Sequence, residues 1–142
     1  MKKGNTISLI SRIHENSSRF LIKELEEEGI KGIVPSHGEI LKILFDEQTC
    51  TMAELAKRIH RTKPTVTILV NKLIDYGYVV KERSPNDGRV MNIILTQKGL
   101  DLKPTVIKIS KKMNDLVYNN LTDCDAEWLE ETLQNINERF SN

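Results

Sequence analysis

Basic side chains are concentrated in one central segment of the 142-residue chain. Residues 57–98 contain nine Lys and Arg against three Asp and Glu, a net charge of +6, although the whole chain carries only +1. Because Lys and Arg neutralise phosphates, a local excess of this kind is typical of a surface that binds nucleic acid. The secondary structure of this segment must then bring the cations to one surface.

Two short helices followed by a β-hairpin are predicted for this segment. Thr51, with Glu54 three residues later, has the spacing of a capping box, and Thr62 is a good N-cap for the next helix. That second helix, called the recognition helix below, has buried-type residues at helical spacing up to about residue 76. Apolar, β-branched runs at 78–84 and 90–96 flank a Pro-Asn-Asp-Gly turn, which predicts the hairpin. The order predicts a winged helix-turn-helix.

Longer amphipathic helices are predicted on both sides of this module. One covers about residues 5–28, a second begins at Ser36 with a Ser-x-x-Glu capping box, and a long one covers roughly 97–121. A glycine and a proline near the start of the long helix predict an early kink or break. A last helix extends to Phe140. The expected fold class is therefore mainly α with a small β component (α+β).

The terminal helices have apolar stripes that exceed what the small central module needs for its core. A second copy of the chain is the most economical partner for them. We therefore expect three parts: an N-terminal dimerisation helix (1–34), a winged helix-turn-helix DNA-binding domain (35–98) and C-terminal dimerisation helices (99–142).

About 50 residues, from Thr51 to Gly99, resemble the multiple-antibiotic-resistance regulator (MarR) family of bacterial transcription factors. The matching pieces are Glu54-Leu55-Ala56, Thr65-Val66-Thr67, Leu69-Val70-Asn71-Lys72-Leu73, Gly77-Tyr78-Val79, Asp87-Gly88-Arg89 and Leu95-Thr96-Gln97-Lys98-Gly99. The resemblance implies a homodimeric repressor that binds a palindrome in double-stranded DNA and is often released by a small ligand, a metal or an oxidant. Ile68 departs from the family, which often has a polar residue there.

The recognition helix supplies most of the candidate DNA contacts. Thr65 and Thr67 could bond a base or a phosphate, whereas Pro64 and Ile68 suit apolar contact with thymine methyl groups, which favours A·T-rich DNA. The full set of candidates in this region comprises Arg58, Arg61, Thr62, Lys63, Pro64, Thr65, Thr67, Ile68, Asn71 and Lys72.

The hairpin tip supplies a second set of candidate contacts. Arg83 and Lys81 are candidates for phosphate contacts on the first strand of the hairpin. The resemblance implies that Arg89 enters a minor groove and that Asp87 holds the tip in shape by bonding a nearby arginine. The predicted wing contacts are therefore Arg83, Asp87 and Arg89.

Three alternatives remain open at this point. A metal-sensing variant would use His14, His37 or His60 with carboxylate or thiolate partners. A redox-sensing variant would use Cys50 or Cys124. A winged helix can also bind protein and never DNA.

No catalytic constellation is found in the sequence, so an enzyme is not expected, and no cofactor or metal site is predicted. No apolar run is long enough to cross a bilayer, and the first 18 residues lack the apolar core of a secretion signal. We expect a cytoplasmic protein without a membrane partner, and the sequence does not identify an effector or its site.

Overall fold

The computed structural model describes residues 3–141 and is mainly helical, with one small sheet. The elements are α1 (Thr6–Glu27), α2 (Pro35–Glu47), β1 (Thr49–Thr51), α3 (Met52–Arg58), α4 (Lys63–Asp75), β2 (Val79–Arg83), β3 (Met91–Leu95), α5 (Gln97–Leu100), α6 (Lys103–Tyr118) and α7 (Asp123–Ser141). The chain forms two compact units, one up to Ile109 and one from Ser110 onward, and the boundary lies within α6.

The helix-turn-helix is α3 and α4, and α4 is the recognition helix. The Thr51 hydroxyl oxygen accepts the Glu54 N–H at 3.1 Å, and the Thr62 hydroxyl oxygen accepts the Thr65 N–H at 3.4 Å. Both predicted N-caps are therefore confirmed. The chain turns between the two helices at His60, which has a φ of 56°. The predicted winged helix-turn-helix is present in full.

The predicted start of α2 is wrong in its detail. The helix begins at Pro35 rather than Ser36, because proline has no N–H to satisfy and its fixed φ suits the first helical position. The predicted Ser36–Glu39 capping box does not form. Instead, the N–H of Val34 donates to Nδ1 of His37 at 3.0 Å, so a buried imidazole caps this helix.

The sheet has three antiparallel strands in the order β1-β3-β2, one more than the predicted hairpin. In the hairpin, Val80 pairs with Ile94. On the other side of β3, Cys50 pairs with Ile93. The sequence does not predict β1, because three residues are too few to show the alternation that marks a strand.

The core lies among α2, α3, α4 and the sheet. Its fully buried apolar side chains come from each of these elements, and they include Ile40, Leu41, Leu44, Leu55, Val66, Val70, Leu73, Val79 and Ile93. The exposure of the rest of α4 follows from this packing, because one face of the helix is fixed inward.

The predicted long helix, 97–121, is interrupted after Leu100 and resumes at Lys103. The break agrees with the expectation from its glycine and proline. Thr96 caps the first piece, since its hydroxyl oxygen accepts the Gly99 N–H at 3.1 Å and its hydroxyl donates to the Gly77 carbonyl at 2.7 Å. The hydroxyl therefore ties the end of the sheet to the end of the recognition helix.

In the second unit, α7 begins with a reciprocal capping box. The Asp125 N–H donates to the Thr122 hydroxyl oxygen at 3.1 Å, and the Thr122 N–H donates to the Asp125 carboxylate at 3.2 Å. None of the α7 residues is buried in the described chain, and Trp128 and Phe140 are 66% and 75% exposed.

Candidate nucleic-acid interface

A groove of about 410 Å³ lies between the start of the recognition helix and the hairpin. Lys63, Lys81 and Arg89 line it, one from α4, one from β2 and one from the hairpin tip. Three cations that are far apart in sequence therefore share one surface. The remaining lining residues are Thr51, Met52, Ala53, Thr67, Val90 and Met91.

The outer face of the recognition helix carries the side chains predicted to contact DNA. The exposed residues of this set are Lys63, Pro64, Thr65, Thr67, Ile68, Asn71 and Lys72. Thr67 donates its hydroxyl proton to the Lys63 carbonyl at 2.9 Å, and Thr62 donates its own to the Thr65 hydroxyl oxygen at 3.0 Å. The helix therefore presents a polar rim around an exposed isoleucine.

The hairpin tip is held by two arginines. The Asp87 carboxylate accepts the Arg89 backbone N–H at 3.0 Å and the Arg89 Nε–H at 3.2 Å. These bonds lower the pKa of Asp87, because they stabilise its charged form. The Arg89 side chain remains 93% exposed. Arg83 donates to the Gly88 carbonyl, so its exposed guanidinium holds the two sides of the turn together.

The two arginines before the recognition helix differ in their partners. Arg58 forms an ion pair with Glu47 at 2.5 Å, and this hydrogen bond raises the pKa of the Arg58 guanidinium. Its charge is thus already partly compensated. Arg61 donates to the His60 carbonyl at 3.3 Å and is exposed.

The histidines and cysteines are dispersed. His14 and His60 are exposed, whereas His37 is buried at the α2 cap. Between residues 3 and 141, no three His, Cys, Asp or Glu side chains are placed to share a metal ion. Cys124 is exposed; Cys50 is buried and donates to the Glu54 carboxylate at 3.2 Å. Burial and this bond raise the pKa of the Cys50 thiol to about 11, which disfavours its thiolate.

Sequence reasoning did not single out the apolar part of the groove. Met52 and Met91 line it from the start of α3 and from β3. Neither residue carries a local signal, because only the pairing of distant strands brings them together. From the sequence, His37 is only a candidate metal ligand, and its role as the cap of α2 is not predicted.

A recognition helix with an exposed outer face, beside a hairpin with an exposed arginine, defines a winged helix-turn-helix DNA-binding protein. The MarR family model matches residues 33–91. The HTH-type transcriptional regulator SarZ of Staphylococcus saprophyticus is 36% identical over 104 residues, which cover 71% of this chain and 68% of that protein. SarZ of Staphylococcus epidermidis is 31% identical over 98 residues, covering 68% and 64%. The chain thus matches about two thirds of the length of these relatives.

Solved structures share the fold. The S. aureus MepR–DNA complex superposes with a TM-score of 0.86 at 22% identity, over 97% of this chain and 99% of that one. A mutant MarR from E. coli, complexed with operator DNA, gives a TM-score of 0.78 at 21% identity, over 96% and 99%.

The chain belongs to the MarR family. It is a DNA-binding transcriptional regulator and not an enzyme. Across residues 3–141, the helices include none that combines the length and the apolar character needed to span a bilayer.

Proposed function

We propose that this chain acts as a homodimeric repressor that binds a palindromic operator. Each recognition helix enters a major groove, and each hairpin tip reaches the neighbouring minor groove. Half-site centres then lie about 10 bp apart, one turn of the duplex. The observation that carries the proposal is the shared groove in which Lys63, Lys81 and Arg89 come from three different elements.

The proposed roles follow from exposure and charge. Lys63, Lys72 and Arg61 contact phosphates beside the major groove, together with Thr62 and the N-terminus of α4. Arg89 enters the minor groove, and Asp87 holds its guanidinium near the tip. Pro64, Thr65, Thr67, Ile68 and Asn71 face the bases; Arg58 and Arg83 add positive charge at the margins.

Exposed apolar side chains on the terminal helices support a dimer. Ile7 and Ile13 of α1 are 58% and 61% exposed, and α7 exposes Trp128 and Phe140 while burying none of its described residues. Exposed apolar side chains grouped on one helix are the kind of surface that packs against another protein. We propose that residues 1–34 and 99–142 form the dimer interface with a second copy and that 35–98 bind DNA.

Three further parts of the proposal rest on the family. Repression, release by a small-molecule effector and a cytoplasmic location are typical of MarR regulators.

The cations that line the groove set the salt dependence of DNA affinity. The three cations that line the groove, counted without Arg61 and Lys72, give six per dimer and so a lower bound on the salt dependence. If each neutralises one phosphate, the slope of log affinity against log salt concentration is about −5. Affinity should then fall roughly a thousandfold between 50 and 200 mM salt.

The test begins with selection of bound sequences from a random duplex pool, followed by fluorescence anisotropy on the selected DNA. Arg89→Ala removes two cations per dimer, so it should weaken binding and make the salt slope shallower by about 2. Lys42→Ala, which removes an exposed cation of α2 outside both the groove and the proposed dimer helices, is the matched control and should leave both unchanged. Failure to select any DNA, a flat salt response, or a monomer in analytical ultracentrifugation would contradict the proposal.

A further inference from the structure

The outer face of the recognition helix carries an aliphatic patch where the proposed function places the DNA bases. Ile68 is 66% exposed, and Pro64 and Thr65, one turn earlier on the same face, are also exposed. The core takes Val66 and Val70 from the opposite face, so Ile68 has no part in packing. A large apolar side chain is thus held in solvent on a helix that also exposes Lys63 and Lys72.

The polar groups beside Ile68 are largely engaged within the helix. Thr67 donates its proton to the Lys63 carbonyl, and Thr62 donates its proton to Thr65. Paired hydrogen bonds with purines come from Arg or Lys to guanine and from Asn or Gln to adenine. Between residues 63 and 70 only Lys63 belongs to this group, and the proposed function places it on a phosphate. The first two turns of the helix therefore lack the usual means of selecting guanine or adenine.

We infer that Ile68 packs against the 5-methyl group of a thymine in the major groove and makes that thymine a determinant of operator choice in each half-site. The inference rests on the proposed function and specifies the DNA that this helix selects. Thymine is the base that presents a methyl group in the major groove. A cytosine at the same position would place its amino group against a side chain that cannot accept a hydrogen bond.

The expected effect is set by one methyl group per half-site. Burial of one methyl-sized group changes affinity about fourfold. A symmetric dimer makes the contact twice, so removal of both methyl groups should weaken binding about 10- to 20-fold.

The experiment replaces thymine with deoxyuridine, which lacks only the methyl group and keeps every hydrogen bond of the base pair. Each thymine of the selected operator is replaced together with its symmetry mate, and affinities are measured by fluorescence anisotropy at fixed salt. The proteins are the wild type, Ile68→Ala, and Ile68→Val, which keeps an apolar side chain. Because Ile68 is exposed, Ile68→Ala should keep the wild-type melting temperature.

For the wild type, replacement of thymine at one symmetric pair of positions should lower the affinity for the operator about 10- to 20-fold. Ile68→Ala should bind the thymine and deoxyuridine operators within about twofold of each other, and Ile68→Val should retain part of the difference. Operator binding without a methyl effect at any position, or with the full effect retained in Ile68→Ala, would overturn the inference and leave the proposed function intact. Absence of any DNA binding would overturn both.

Discussion

Protonation of His37 should destabilise the folded chain, because this imidazole is held neutral inside it. Its side chain is 1% exposed, and its Nδ1 accepts the Val34 N–H that begins α2. A protonated ring could not accept that bond. Burial away from water lowers the pKa of His37, the positive charge of Lys72 lowers it further, and the nearby Leu69 backbone opposes this only in part.

The free energy of unfolding depends on pH because the folded and unfolded chains bind the His37 proton with different affinity. The folded-state pKa lies below the unfolded value of 6.5, so between the two the unfolded chain binds a proton that the folded chain does not. The contribution of neutral His37 to the free energy of unfolding is therefore fully present above about pH 7, and it is lost as the pH drops through 6.5. One proton gives a slope of at most about 1.4 kcal/mol per pH unit, which amounts to at most about 2 kcal/mol between pH 7 and pH 5.

The assay is urea unfolding followed by circular dichroism at pH 5, 6 and 7. The protein concentration is held constant because dimerisation would make stability depend on it. The comparison variant is His37→Phe, which fills a similar volume and cannot titrate. It leaves the Val34 N–H without its acceptor, so it should be about 1–3 kcal/mol less stable at pH 7.

The decisive quantity is the difference in free energy of unfolding between wild type and His37→Phe as a function of pH. It should shrink as the pH falls from 7 to 5, because only the wild type loses this contribution. Since all other groups are common to both proteins, their titration cancels. If the two proteins lose stability in parallel over this range, the imidazole is not held neutral and the reasoning is wrong.

Two further predictions concern packing and thiol reactivity. Gly99→Ala would place a Cβ 2.1 Å from the Tyr78 carbonyl oxygen. It should lower the free energy of unfolding, measured by thermal unfolding, by about 1–3 kcal/mol. Gly38→Ala lies in α2, where an added Cβ would meet nothing within 4 Å, so it should stabilise the fold by up to about 1 kcal/mol. If both variants change the free energy of unfolding equally, the packing argument is wrong. A thiol reagent at pH 8 should modify Cys124 faster than buried Cys50. The fast reaction phase should disappear in Cys124→Ser. If two thiols per chain react in the fast phase of the wild type, Cys50 is accessible and the prediction is wrong.

Local interactions made most of the fold predictable from the sequence. The caps at Thr51 and Thr62 depend on residues three apart, and the hairpin turn depends on four consecutive residues. The inward face of α4 depends on helical spacing alone, which also identified Ile68 as exposed. The break near Gly99 was likewise predictable, because glycine and proline act on their own backbone.

Long-range contacts decided the rest. β1 exists only because Cys50 lies opposite Ile93, 43 residues later, and no pattern in three residues indicates that pairing. His37 replaces the predicted cap of α2 because the fold buries its ring. In the same way, the groove depends on sheet register, which brings Lys81 and Arg89 beside Lys63. The sequence by itself determined which side chains carry charge and which helices form; the tertiary structure alone determined which of those charges share a surface, because only chain pairing across long separations sets their distances.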